Sequence, residues 1–579
     1  MSDQSWTVRL DGQLLPDKKL IGGKAWSIAW MKTMDLPVPP AFVISTKACL
    51  GYLANNAFPD GLDTEIKNQM AWLEGQLDRH FGGADKPLLL SVRSGAAISM
   101  PGMMDTVLNL GINDVTEKAL AEETGNPQFA RDTHRRFYEL YSAIVLKIPG
   151  IELDPDQTPQ DWRVKIESLG GKIPESVNEQ LRETVLAVFN SWNTRRAKRY
   201  REHNGIAHDL GTAVTVQAMV FGNLDDRSGT GVLFSRNPLT GENVPYGEYL
   251  PKAQGEDVVS GKFTPLPLDA MKEFAAESYS QLLAAASKLE TANQDAQDIE
   301  FTVQQGTLYL LQARSAKRAP AAAVRMAVEM VAEGLIDEAV ALTRVTAEQV
   351  RTLLLPRLAD GAAVNAPLLV TGEGACPGVA FGTVVSDSDE AEQRAKKGEK
   401  IILARKTTSP DDVHGMIAAC GVITEMGGST SHAAVVSRAL GRPCVVGTGE
   451  GSLEKLSGQK ATIVGDEGKV YAGELEVIAP EEEADPLLSK LICWSRERSS
   501  IQVLSSRDAG SMDAVLDLDA IPEASEPDVL ADLLANNTAV KGDILASEDV
   551  TRLAIQAGVK IMYTRPVLPS LLMALEGIK

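Results

Sequence analysis

The stretch Val422-Ile423-Thr424-Glu425-Met426-Gly427-Gly428-Ser429-Thr430-Ser431-His432-Ala433-Ala434 restricts the fold more than any other. A strand, Val422 to Thr424, runs into a loop of glycines and hydroxyls. A helix then starts near His432 and continues through Arg438 and Leu440. The unpaired N–H groups at such a helix start, together with its dipole, favour an anion. A neutral imidazole placed there is a nucleophile toward phosphorus, so the segment reads as a transiently phosphorylated histidine. The same residues also read as a plain helix cap, with Ser431 capping and His432 incidental.

Three further segments carry candidate chemistry. Asp298 to Val303 and Thr307 to Arg314, joined at Gln304-Gln305-Gly306, read as a hairpin. Strand alternation puts Asp298 and Glu300 on one face, and Gln312 and Arg314 on one face. Two such carboxylates suit a divalent cation, because Mg²⁺ takes one or two carboxylates plus substrate phosphates. A solvated hairpin face is the other reading. Ile21-Gly22-Gly23-Lys24 enters an amphipathic helix, a setting for phosphate, although the spacing is not that of a Walker A loop. Ser91-Val92-Arg93-Ser94-Gly95 ends a strand with an arginine, which suits either a phosphate or a structural ion pair.

The length of 579 residues implies about four compact units. Mixed strand and helix patterns run to about residue 315. A helical stretch follows, then short Val/Ile strands at Lys400 to Leu403, Gly421 to Thr424 and Pro443 to Val446. Ala479 to Asp485 reads as an acidic linker, and the tail has strands at Ile501 to Leu504 and Val559 to Tyr563. With 57 basic and 78 acidic residues the net charge is −21, which argues against general nucleic-acid or anionic-membrane binding. No apolar run spans a bilayer, no signal core opens the chain, and the five cysteines are scattered, so a cytoplasmic protein is expected.

Several long motifs in order resemble the pyruvate phosphate dikinase family of phosphoenolpyruvate-utilising enzymes. They include LIGGKAWSIAWMKTMDLPVPPAFVIST, SVRSGAAISMPGMMDTVLNLGIND, YGEYLPKAQGEDVVSG, QDIEFTVQQGTLYLLQAR and GGSTSHAAVVSRALGRPCVVG. The resemblance implies an α/β multidomain protein: an ATP-grasp nucleotide-binding domain at 1–318, a helical connector at 319–364 and a swivelling phosphohistidine domain at 365–480. A short C-terminal α/β segment at 486–579 resembles the start of a barrel. It implies ATP as substrate and Mg²⁺ as cofactor. Lys24, Arg93, Asp298, Glu300, Gln312 and Arg314 would form the ATP site, with Asp298 and Glu300 on the metal and Arg135 at the phosphates. His432 matches the phosphorylated histidine and Thr430 a regulatory phosphorylation target. Inorganic phosphate is the implied co-substrate.

A complete barrel needs ~250 residues, whereas 94 follow Asp485. The expected acceptor is pyruvate, with the barrel supplied by a separate subunit. Arg565 is an acceptor-site candidate, although Pro566-Val567 replace the family's next two residues. A different small-molecule acceptor and a non-catalytic nucleotide-binding regulatory protein are the alternatives, and a homo-oligomer stays open. Of the remaining histidines, His414 reads as structural, and His80, His134, His203 and His208 as surface residues. Cys444 reads as a core residue. Met100, Met103 and Met104 read as core packing or a lid over the γ-phosphate.

Overall fold

The computed structural model describes residues 5–98, 100, 106–203, 205–259, 265–428, 431–454, 456–508 and 515–576. Its contacts divide the chain into two compact units. The first is Met1–Pro238 with Glu242–Lys317, and the second is Leu239–Gly241 with Arg318–Lys579. The length arithmetic expects about four units. The difference arises because each unit holds more than one sheet.

The first unit contains two five-stranded antiparallel sheets. Strands β1 (Thr7–Arg9), β2 (Ala41–Ile44), β3 (Leu90–Gly95), β4 (Thr106–Leu110) and β5 (Ala213–Ala218) form one, in the order β1-β2-β5-β3-β4. Strands β6 (Gly229–Phe234), β7 (Tyr246–Pro251), β8 (Leu266–Pro267), β9 (Gln297–Gln304) and β10 (Thr307–Ser315) form the other, in the order β8-β7-β6-β9-β10. Helix α1 (Lys18–Thr33) packs on β2, β3, β5 and β10, and so belongs to both. Ile21, Ala25, Ile28, Ala29 and Met31 of α1 are fully buried. Helix α2 (Pro127–Ile144) covers the first sheet with Phe129, Phe137 and Tyr141.

His134 on α2 is not a surface residue. It is fully buried, edge-on to Tyr138, and its Nδ1 lies 2.6 Å from Glu117 Oε2. The local run of Arg135 and Arg136 suggested exposure, but the helix turns His134 inward together with the buried Thr133. His80 and His208 are exposed as expected, while the side chain of His203 lies outside the described residues.

In the second unit, helices Pro320–Ala332, Glu338–Thr343 and Ala347–Leu354 pack against the tail helices described below. The chain then enters and leaves an eight-stranded sheet through a ribbon of β11 (Arg357–Leu358) and β20 (Val477–Ile478). Between them run β12 (Leu368–Thr371), β13 (Glu373–Cys376), β14 (Val379–Val385), β15 (Ile401–Arg405), β16 (Gly421–Thr424), β17 (Cys444–Val446), β18 (Lys460–Val464) and β19 (Lys469–Ala472). Their order is β12-β19-β18-β14-β15-β16-β17-β13, and β14 to β17 are mutually parallel. Cys444 is fully buried in this sheet.

The tail is a parallel four-stranded sheet of β21 (Gln502–Ser505), β22 (Leu516–Asp517), β23 (Ala539–Lys541) and β24 (Ile561–Thr564), in the order β21-β24-β23-β22. Helices Pro486–Arg498 and Leu568–Glu576 flank it. The acidic linker expected at 479–485 is docked rather than free. The Glu482 carboxylate is buried and accepts N–H donors from Val567 and Leu568 at the start of the last helix. Burial pushes this carboxyl up, opposed by the donor N–H of Leu568 and then of Val567.

Candidate active site

The six residues expected at the nucleotide converge in the first unit. Asp298 and Glu300 lie on β9, which is sandwiched between β6 and β10. Their direct cross-strand partners are Arg314 and Gln312 on β10. Arg314 Nε donates to Asp298 Oδ2 at 2.7 Å. Arg93, at the end of β3 in the other sheet, reaches Glu300 Oε2 at 3.2 Å and Gln312 Oε1 at 3.3 Å.

Lys24 is brought there by the two glycines. Gly22 interrupts α1 at φ 77°, and a Cβ there would sit 2.3 Å from the carbonyl oxygen of Gly95. The next residue, Gly23, donates its N–H to Ala96 O at 2.9 Å. A side chain at Gly22 would push this loop off the strand that carries Arg93. Lys24 is half-buried; burial, then the charge of Arg93, lowers its pKa to about 8.

Four of the six, Arg93, Asp298, Glu300 and Arg314, line a cavity of about 630 Å³ whose apolar side is formed by Leu108, Met219, Val220 and Phe234, while Lys24 and Gln312 stand behind its lining. Its size and mixed lining suit a small-molecule site. Burial pushes the Asp298 carboxyl up, against the Arg314 guanidinium, which pulls it down. Asp298 is 4% exposed, and among the described residues its Oδ1 has no hydrogen-bond partner. A buried unpartnered carboxylate oxygen beside a second carboxylate fits a divalent cation completed by ligand oxygens. Among the described residues no group of three or more His, Cys, Asp or Glu side chains is placed to hold a metal ion.

Arg135 does not border this cavity. On α2 it pairs with Asp132 at 2.7 Å and Glu139 at 2.8 Å. Its neighbour Arg136 reaches Asp257 at 3.0 Å, three residues after the cavity-lining Gln254. Met100 is buried against Trp192 and Ile206, while Met103 and Met104 lie outside the described residues.

A residue the sequence did not flag ties the two sheets together. Ser27 lies one turn beyond Lys24 on α1. Its Oγ donates to Ala313 O at 2.7 Å and accepts from Ala313 N at 2.8 Å. Ala313 sits between Gln312 and Arg314 on the edge strand β10, so one hydroxyl substitutes there for a neighbouring strand.

In the second unit His432 is the first residue of helix His432–Leu440, and the N–H of Ala434 points to Ser431 Oγ at 3.4 Å. The serine cap is therefore present, and it places the imidazole at the helix start. His432 Nδ1 lies 2.9 Å from Thr408 Oγ1. Thr408 follows β15, the parallel neighbour of β16. Its loop is pinned by the buried Asp412, which accepts from Ser388 Oγ at 2.7 Å and Ser409 N at 2.9 Å and pairs with Arg405 at 3.2 Å. The sequence KTTSP offers no signal that separates Thr408 from Thr407. Thr430 lies outside the described residues, and Arg565 stands at the tail sheet, paired with Glu481. His414 pairs with Asp389 at 3.0 Å, a structural contact.

Residues 56–270 match the family model for the AMP/ATP-binding domain of pyruvate phosphate dikinase, and residues 397–468 match that for the mobile domain of PEP-utilising enzymes. The chain thus carries two domains that match those of phosphoenolpyruvate-utilising enzymes. Among its relatives, pyruvate, phosphate dikinase 2 of Oryza sativa subsp. japonica is 42% identical over 526 residues, covering 85% of this chain and 59% of the relative. Pyruvate, phosphate dikinase of Clostridium symbiosum is 38% identical over 540 residues, covering 87% of this chain and 62% of the relative. The chloroplastic pyruvate, phosphate dikinase 1 of Zea mays is 42% identical over 527 residues, covering 85% and 55%. The chain thus spans about three-fifths of the length of the curated relatives it matches. Arg93 falls within the first matched domain, and Thr408 and His432 within the second.

Replacing Ser27 by Ala leaves the Ala313 N–H and carbonyl without that partner. Ser27→Ala is expected to destabilise the first unit by about 1–3 kcal/mol, read as a lowered urea midpoint and faster amide exchange at Ala313. Ser27→Thr, which keeps the hydroxyl, should restore the exchange protection.

Proposed function

We propose that this chain is an ATP-dependent, dikinase-type phosphotransferase that forms a phosphohistidine at His432. ATP and inorganic phosphate would yield AMP, pyrophosphate and the phosphorylated imidazole, and the phosphoryl group would pass to an acceptor, pyruvate first, giving phosphoenolpyruvate. The observation that carries this reading is the placement of His432 at a helix start with its Nδ1 engaged by Thr408. In the tautomer whose Nδ1–H donates to Thr408 Oγ1, Nε2 carries the lone pair that attacks phosphorus. The N–H groups of the helix start then offset the charge of the phosphoryl group that arrives.

The division of labour follows the expected boundaries: nucleotide binding at 1–318, a connector at 319–364, the phosphoryl carrier at 365–480 and an acceptor-related segment at 486–579 that includes Arg565. Arg93 and Arg314 in the nucleotide cavity, with Lys24 close behind them, would supply positive charge to the polyphosphate and keep it oriented. Asp298 and Glu300 would hold Mg²⁺, which supplies charge neutralisation at the phosphates when bound. A barrel on a separate subunit would complete the acceptor site. No helix among the described residues is long and apolar enough to cross a membrane. All five cysteines are thiols, which supports a cytoplasmic setting.

Two measurements test the reading. Incubation with Mg²⁺, inorganic phosphate and ATP labelled at the β-phosphate should give acid-labile, base-stable label on the protein. His432→Ala should abolish it. Thr408→Val should slow labelling about tenfold, since losing one hydrogen bond of about 1–1.5 kcal/mol costs that factor. Absence of label on the wild-type chain with nucleotide bound would overturn the enzyme reading.

The pH dependence of ATP binding gives a separate check. Lys24 titrates at about 8, so below that pH it is an ammonium and above it the charge is lost. ATP affinity should be flat from pH 6.5 to 7.5 and fall above pH ~8, approaching tenfold per unit. Lys24→Arg, which stays charged, should remove that fall.

A further inference from the structure

Open parallel sheets bind their ligands outside the carboxyl ends of the strands. Along that edge of the tail sheet three cations stand in strand order: Arg507, two residues past β21; Arg565, directly after β24; and Lys541, the last residue of β23. Lys541 is matched within the sheet by Asp517 of β22 at 3.1 Å. Arg507 and Arg565 instead converge on one atom from outside the sheet. Their Nη2 groups lie 2.8 and 3.4 Å from Glu481 Oε1. The last paired residues of β21 and β24, Ser505 and Thr564, are buried at the same strand ends, and the fully buried Thr564 hydroxyl has no hydrogen-bond partner.

We propose that Arg507 and Arg565 form a binding site for a small oxyanion, a carboxylate or a phosphate, and that Glu481 occupies it as a built-in competitor which the ligand displaces. Two guanidinium groups on adjacent parallel strands present forked donors to a planar or tetrahedral oxyanion. Glu481 is held over them because its neighbour Glu482 is anchored in the fold by the N–H groups of Val567 and Leu568. That anchoring keeps a carboxylate at high effective concentration beside the site. Exposed ion pairs are weak, however, so the contact is reversible. The inference rests on the acceptor role given above to Arg565 and adds its regulation, with Arg507 as a second ligand-binding arginine.

The full chain provides the test. Phenylglyoxal modification of Arg507 and Arg565, resolved by peptide mass spectrometry, is followed with pyruvate and, separately, with inorganic phosphate. One probe or both should protect the two arginines together. Protection by pyruvate alone assigns a carboxylate ligand, and protection by phosphate assigns a phosphate. Glu481→Gln should lower the half-protecting concentration roughly two- to fivefold. Glu483→Gln, an exposed neighbour of the same charge, should leave it unchanged. Arg507→Ala should abolish protection at Arg565. Equal shifts in Glu481→Gln and Glu483→Gln would overturn the competitor in favour of diffuse charge. Protection of Arg565 that is unaltered in Glu481→Gln would overturn the competitor and leave the acceptor role standing. No protection by either probe in any variant would overturn both.

Discussion

Arg93 is the tie on which the nucleotide unit depends. It rises from one antiparallel sheet and places its guanidinium against Glu300 and Gln312 of the other. The two sheets also share α1 and a buried amide pair between Asn109 and Gln254. The position of the arginine is itself set by backbone: the loop at Gly22 lies so close to Gly95 that no side chain fits between them. Lys24 then falls beside Arg93, and its pKa drops because one charge is half-buried near another. Ser27, one turn on, closes the edge of β10 at Ala313, the residue between Gln312 and Arg314. A single helix therefore fixes a lysine from its first turns and the register of the strand that carries two further polar groups.

Much of this was legible in the sequence because strand alternation is a strict geometric rule. Asp298 and Glu300, two apart on one strand, must share a face. The turn at Gln305-Gly306 alone would oppose them with Ala313 and Leu311, and an irregularity between Glu300 and Phe301, which the sequence does not signal, shifts the register to Arg314 and Gln312. The helix at His432 was legible for a similar reason: a glycine loop after a β-branched strand admits few continuations. What escaped were contacts that depend on tertiary placement. Arg135 and Arg136 are neighbours in sequence, yet the helix sends one to Asp132 and Glu139 and the other to Asp257 beside the cavity. Thr408 meets His432 only because β15 and β16 are parallel neighbours. His134 lies in a charged run and is nevertheless buried, since helical period rather than local polarity decides burial. The run of glutamates at 481–483 looked like a solvated linker; one of them is an interior hydrogen-bond acceptor.

The second unit uses one architectural device twice. In the eight-stranded sheet the parallel strands β14 to β17 send their carboxyl ends toward the loops that carry Thr408 and His432. In the tail the parallel strands β21 and β24 send theirs toward Arg507 and Arg565. Parallel strands deliver successive loops to the same edge, so residues far apart in sequence become neighbours there without any local motif. His432 is legible in the sequence because it has a local signature, whereas Arg507 has none.

The chain carries a net charge of −21 and yet is proposed to handle ATP, phosphate and an anionic acceptor. The carboxylates at its two anion-related sites resolve this in different ways. Asp298 and Glu300 are built into a strand with neighbours on both sides, so they cannot move away when a polyphosphate arrives. Their charge has to be balanced in place, by Arg314, by Arg93 and, in the proposed function, by a divalent cation at the Asp298 oxygen that has no partner among the described residues. Glu481 lies on an exposed segment whose anchor is the next residue, and its carboxylate is held only by the two arginines it faces. Rotation about its own side-chain bonds is enough to clear them. On the proposed readings, the fixed carboxylates would be met by a metal, whereas the mobile one would act as a gate. The distinction follows from the backbone beneath each side chain.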